Sequence, residues 1–155
     1  MRGYTINNEL GGTKQSMSTS YKSLLILVAS NTALLKRGAV HEFTVGVDGT
    51  PADQAMTYDI SRVTAVGTAT AITPTKLDPA DGASAMEAHA NSTSEPTVTS
   101  ASSLWATGIN QRATHRWVAM PGQELIIPAT DDNGLCLRAK SPGYTGTVIG
   151  SMHFQ

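Results

Sequence analysis

The sequence predicts an all-β protein built as an antiparallel β-sandwich, and three observations carry that prediction. Apolar residues recur with period two along most of the chain, turn signals fall about every 8 to 15 residues, and little of the sequence carries helical spacing. Such spacing fits a sandwich or a barrel, and without alternating helical segments a parallel α/β sheet is disfavoured. Eight or nine short strands suit a jelly-roll-like sandwich, and no repeat of a length that would indicate a propeller or solenoid is present.

Taken in order, residues 1–20 are polar, with Gly11-Gly12 and a Ser/Thr cluster, and offer no periodic apolar face. An extended N-terminal arm is expected there, with residues 21–155 forming the single sandwich domain. "SLLILVA" (23–29) is a continuous apolar run read as a buried strand in preference to a helix, because Ser30, Asn31 and Thr32 interrupt it. Leu34 to Gly38 then reads as a connection. "VHEFTVGV" (40–47) places His41, Phe43, Val45 and Val47 on one face and Glu42 and Thr44 on the other, and Asp48-Gly49 supplies a turn.

In "AMTYDISRVTAV" (55–66), Met56, Tyr58 and Ile60 share a face before Val63 breaks the phase, which predicts a bulge or bend near Ser61. Thr68 to Thr73 reads as a strand of small side chains, and Pro74 to Gly82 as a rigid, turn-rich loop. Met86, Ala88 and Ala90 form one face of the next strand, opposite Glu87 and His89. "TVTSASSLWATG" (97–108) is ambiguous, with Gly108 expected to close it. "RATHRWVAM" (112–120) alternates Ala113, His115, Trp117 and Ala119 against Arg112, Thr114 and Arg116. Pro121-Gly122 is a turn, "ELII" (124–127) a short strand, and Asp131-Asp132-Asn133-Gly134 a hairpin turn before "LCLRA" (135–139). "GYTGTVIGSMHF" (143–154) closes the set, with Tyr144, Val148, Met152 and Phe154 on one face.

Charged residues make up 15% of the chain against 40% hydrophobic, so the composition is that of a folded protein with few charges to solvate its surface. The net charge of −1 comes from dispersed residues, and no like-charge run exists to bind nucleic acid or an anionic membrane. A single cysteine, Cys136, leaves no internal disulfide framework and reads as an inert thiol. The N-terminal segment lacks the apolar core of a signal peptide, and the longest apolar run is too short to span a bilayer.

Catalytic patterns are missing. There is no G-x-S-x-G elbow, no H-E-x-x-H and no C-x-x-C, and the four histidines (41, 89, 115 and 153) stand apart. "DDNG" lacks the spacing of a calcium loop. Asp59 beside Arg62 and Glu87 beside His89 read as ordinary strand polar residues. No cofactor, metal or catalytic residue is expected, and the protein is read as not an enzyme. The residues that stand out are of interface type: Trp105, Trp117, Arg112 and Arg116, with one tryptophan expected to serve the core, and Leu77 and Asp78 in the turn-rich loop at the sandwich rim.

From residue 24 onward the chain resembles the head decoration, or cement, proteins and related head-associated β-sandwich proteins of tailed bacteriophages. The likeness rests on "LLILVA", "VHEFTVGV", the small-residue strand running into a Thr-Pro loop in "GTATAITPTKLDPADGASA", "WVAMPGQELIIPATDDNGLCLRA" and the closing "TGTVIGSMHFQ". The resemblance implies a virion structural protein that binds the outside of the capsid shell, with the major capsid protein as partner. It also implies a homo-oligomer, a trimer being favoured, located on the capsid exterior after synthesis in the host cytoplasm. The alternative is a non-catalytic carbohydrate- or receptor-binding sandwich using Trp105, Trp117 and Tyr144 as stacking platforms.

Overall fold

The computed structural model describes residues 2–30 and 35–155. Its strands are β1 (Tyr4–Asn7), β2 (Gln15–Ser16), β3 (Lys22–Ala29), β4 (Gly38–Asp48), β5 (Ala55–Ala65), β6 (Thr68–Ile72), β7 (Thr75–Lys76), β8 (Met86–Ser94), β9 (Thr97–Asn110), β10 (His115–Val118), β11 (Leu125–Ile127), β12 (Gly134–Lys140) and β13 (Thr147–Phe154). No helix occurs among the described residues. One sheet runs β10-β4-β13-β1-β7, with β11 also on β4 and β2 also on β13; the other runs β6-β8-β3-β12-β5-β9. All paired strands are antiparallel, and the predicted sandwich is the observed fold.

The inner faces meet in one core. Leu25 and Leu27 of β3, Leu135 and Leu137 of β12, and Met56, Tyr58 and Ile60 of β5 pack against Phe43 and Val45 of β4 and Val148, Met152 and Phe154 of β13. Period two places them there, since alternate side chains on a strand take opposite faces. β3 is buried on both faces, which is why it reads as an unbroken apolar run. Its outer residues Ile26 and Val28 join Val63 and Cys136 in a second cluster, against which Val66, Ala69 and Val98 pack. These last three belong to a ribbon made where β5 continues into β6 and β8 into β9. Val63 is therefore in phase with Asp59 and Ser61 on the outer face. The register shifts near Ser61 are real, but lie in the pairing of β5 with β9 and not with β12.

Several expectations are corrected. Residues 1–20 are not an arm without core-facing positions: Tyr4 and Ile6 alternate into the core from β1, Met17 joins them, and β1 lies between β13 and β7. The polar composition concealed this because only three apolar side chains are buried there, with Leu10 partly buried against them. Asn8, fully buried, donates through Nδ2 to Asn91 Oδ1 at 2.9 Å and to the Val148 carbonyl at 3.0 Å, and its Oδ1 accepts from Gly150 N at 2.7 Å. His41 does not share the face of Phe43. The register of β4 on β13 shifts between Glu42 and Val40, so Val40 turns inward while His41 does not.

Gly108 lies inside β9, paired with Thr57, and does not close the strand. Residues 131–134 link β11 to β12, which belong to different sheets, and so cross the sandwich and do not form a hairpin. Asn31, Thr32 and Leu34 fall outside the described residues.

Candidate functional site

The candidate contact residues divide between opposite edges of the β10-to-β7 sheet. Leu77 and Asp78 follow β7 at one edge. Leu77 is 55% exposed, with its amide donating to the Gly3 carbonyl at 2.9 Å, and Asp78 accepts the Ala80 amide at 2.9 Å as a local turn cap. Trp105, Arg112, Arg116 and Trp117 belong to the other edge, where β10 of one sheet approaches β9 of the other.

At that second edge four rings close the mouth of the sandwich. Phe43 is stacked with Trp117 at 5.1 Å and meets Trp105 edge-on at 4.9 Å, and His115 stacks on Trp105 at 5.2 Å. Strand alternation builds the group, because His115 and Trp117 sit two apart on β10 and Trp117 pairs directly with Phe43 on β4. Both tryptophans, not one, pack against the core while remaining half-buried. Tyr144 is also spent internally, its hydroxyl donating to the Asp48 carbonyl at 3.0 Å.

Arg116 projects to the outer face. Its Nε and Nη2 donate to the two Glu42 carboxylate oxygens at 2.6 and 2.9 Å, a bidentate pair between cross-strand neighbours. That hydrogen bonding holds the Glu42 carboxyl down to about 2, with His153 at 3.6 Å adding a smaller effect in the same direction. Arg112 lies exposed in the turn between β9 and β10, its amide bound by the Asn110 side chain at 2.9 Å.

Three features of the surface escape the sequence reading. Val118 and Met120, at 54% and 71% exposure, are the large apolar side chains presented beside Arg116 and the Pro121-Gly122 turn. The second is the pairing of Asp59. It does not join Arg62 as a surface pair; it is 2% exposed, receives Arg138 Nε at 2.6 Å, Ser61 Oγ at 2.6 Å and Ser103 Oγ at 2.5 Å, and so ties β9 to β5 and β12. The Arg138 guanidinium also lies 4.1 Å over the Tyr21 ring. Alternation could have indicated this, since inward Tyr58 and Ile60 put Asp59 on the outer face of β5 and inward Leu135 and Leu137 put Arg138 on the outer face of β12, where the two are directly paired. The third is β9 itself, whose fourteen residues carry no charge and mostly face solvent.

Among the described residues no group of three or more His, Cys, Asp or Glu side chains could hold a metal ion. Cys136 is fully buried, and burial pushes its thiol up to about 12, far from a reactive thiolate. The arrangement is thus one of neutral strands, half-buried aromatic rings and a neutralised ion pair. Comparison with protein-family models, curated proteins and solved structures finds no match to this chain.

Proposed function

We propose that the protein is a non-catalytic virion structural protein, a decoration or cement protein that binds the outer surface of a capsid shell and acts there as a homo-oligomer. The observation that carries this reading is the exposed neutral strand surface: β6 and β9, the two edges of their sheet, present mostly small neutral side chains to solvent with no lysine or glutamate among them, and Val118 and Met120 are exposed at the β10 side. A surface of that kind loses little side-chain entropy and desolvates few charges when another protein covers it. Many symmetry-related copies then give firm attachment from modest individual contacts. The jelly-roll reading belongs to this proposal, and the long β5–β6 and β8–β9 ribbon supports it.

The carbohydrate-binding alternative is disfavoured by the tryptophans, whose faces are stacked on Phe43 and His115, and by the internal bond of Tyr144. Cosedimentation with emptied phage heads tests the proposal. Saturable binding with a stoichiometry set by the capsid lattice, weakened by Met120→Asp with Val118→Asp, is expected. No binding to heads, together with glycan binding lost on Trp117→Ala, would overturn it.

A further inference from the structure

β9 is an edge strand, and among the described residues no strand pairs with its outer side. The amide of Gln111 donates to the Gln54 carbonyl at 2.8 Å, so by alternation Ile109, Thr107 and Trp105 also turn their backbone groups toward β5. Ala106 and Gly108 therefore direct their N–H and C=O groups away from the sheet. Proteins usually guard such an edge with charge, proline or brevity. The other edges are short: β7 has two residues, β10 four with Arg116 within it, and β6 five with Pro74 just beyond. The irregularities of β9, a kink at Ala101 where φ is 54° and the register shifts against β5, fall before Trp105, and that leaves the stretch from Trp105 to Asn110 regular and unguarded.

We propose that β9 pairs antiparallel with β9 of a second copy across a two-fold axis at Thr107, joining the two outer sheets into one. The charge pattern selects a second copy as the occupant. A two-fold doubles every charge near its axis and brings it within diagonal reach of its own copy, and β9 is a fourteen-residue strand with none. The register follows from the free groups. With Thr107 on the axis, Ala106 and Gly108 exchange both their hydrogen bonds with Gly108 and Ala106 of the other copy. The same register sets Trp105 opposite Ile109 on the inner side, an aromatic–aliphatic cross-strand pair, and Thr107 opposite Thr107. This inference stands apart from the capsid reading and replaces the expected three-fold assembly with a two-fold one.

The test is the mass of the full chain by light scattering and sedimentation across a wide concentration range, without capsids. A dimer is expected. Gly108→Pro removes an outward N–H, which an edge strand tolerates, and a Cβ there has room, 4.0 Å from the Met56 carbonyl; it is expected to give a folded monomer. Ala106→Lys should weaken self-association roughly tenfold or more through like-charge contact, and mixing it with Ala106→Asp should restore a mixed dimer. That pair keeps the test decisive if Gly108→Pro does not fold. A monomeric or trimeric wild type, a folded Gly108→Pro dimer, or no response to mixing would overturn the proposal.

Discussion

Asp59 shows how much a single side chain can control in this molecule. Its carboxylate is buried and accepts three hydrogen bonds, two from serines and one from Arg138, so its charge is neutralised in place. Asp59→Asn would leave the Arg138 guanidinium partly buried without its counter-charge, and a loss of about 2 to 3 kcal/mol is expected in urea denaturation. The double variant Asp59→Asn with Arg138→Met should recover much of that loss, because the unpaired charge is then gone. If the single variant is neutral, the network is not carrying β9. Glu42 supplies the residue-scale pH dependence. Its folded-state carboxyl lies near 2, below its ordinary 4.5, chiefly through Arg116. A depressed carboxyl stabilises the fold above the unfolded value, and that contribution is lost as pH falls from about 4.5 through about 2. Glu42→Gln should therefore lower stability near neutrality and flatten the acid limb of a stability-versus-pH curve in that window, the variant and wild type converging towards about pH 2; an unchanged acid limb would show that the pair does not stabilise the fold.

At the scale of elements, period two was enough to place most inward faces, and irregularities hid the rest. Met86, Ala88 and Ala90 on β8, and Val148, Met152 and Phe154 on β13, face the core as their alternation predicts. β4 departs because its register shift turns Val40 inward and leaves His41 out of the core, and a bulge leaves no mark in hydrophobicity. β3 behaves likewise: the shift in its pairing with β12 falls at Leu24, so Leu24 and Leu25 both reach the core. The interface residues were legible as types and not as places, because ring stacking between β10, β4 and β9 depends on which sheet edges meet. Gly134 marks a tight approach of β12 to β3. A Cβ there would run into the Leu27 carbonyl oxygen and lie 2.7 Å from Val28 Cα, with backbone and not a flexible side chain in the way. Gly134→Ala should therefore cost more than about 3 kcal/mol by forcing β12 away from β3. Gly122→Ala, with open space but φ of 82°, serves as a turn control with a smaller cost of about 1 kcal/mol. Equal midpoints for the two variants in chemical denaturation would show that the β3–β12 spacing is not tight.

For the whole molecule, the N-terminal segment decides whether the sandwich is a domain with an arm or a closed unit that includes its first residues. β1 sits inside the sheet, hydrogen-bonded to β13 on one side and β7 on the other, with Tyr4 stacked on Phe154 at 5.5 Å. Asn8, itself fully buried, then locks the chain to β8 through Asn91 and to β13 through the buried Val148 carbonyl and Gly150 amide. Removing residues 1–9 would strip one face from Phe154 and Met152, leave β7 without a partner, and leave the Gly150 amide and Val148 carbonyl without their Asn8 partners. Each of those losses is worth about 1 to 3 kcal/mol, and together they rival the whole stability of a domain of this size, typically about 5 to 15 kcal/mol. The truncated chain is thus expected to lose cooperative thermal unfolding or to melt far below the full chain, and its Cys136 thiol, inert in the intact fold, should become reactive toward an aromatic disulfide reagent. An arm that served only to reach a neighbour would give the opposite result. The melting transition would stay where it was, the thiol would stay protected, and only assembly would suffer.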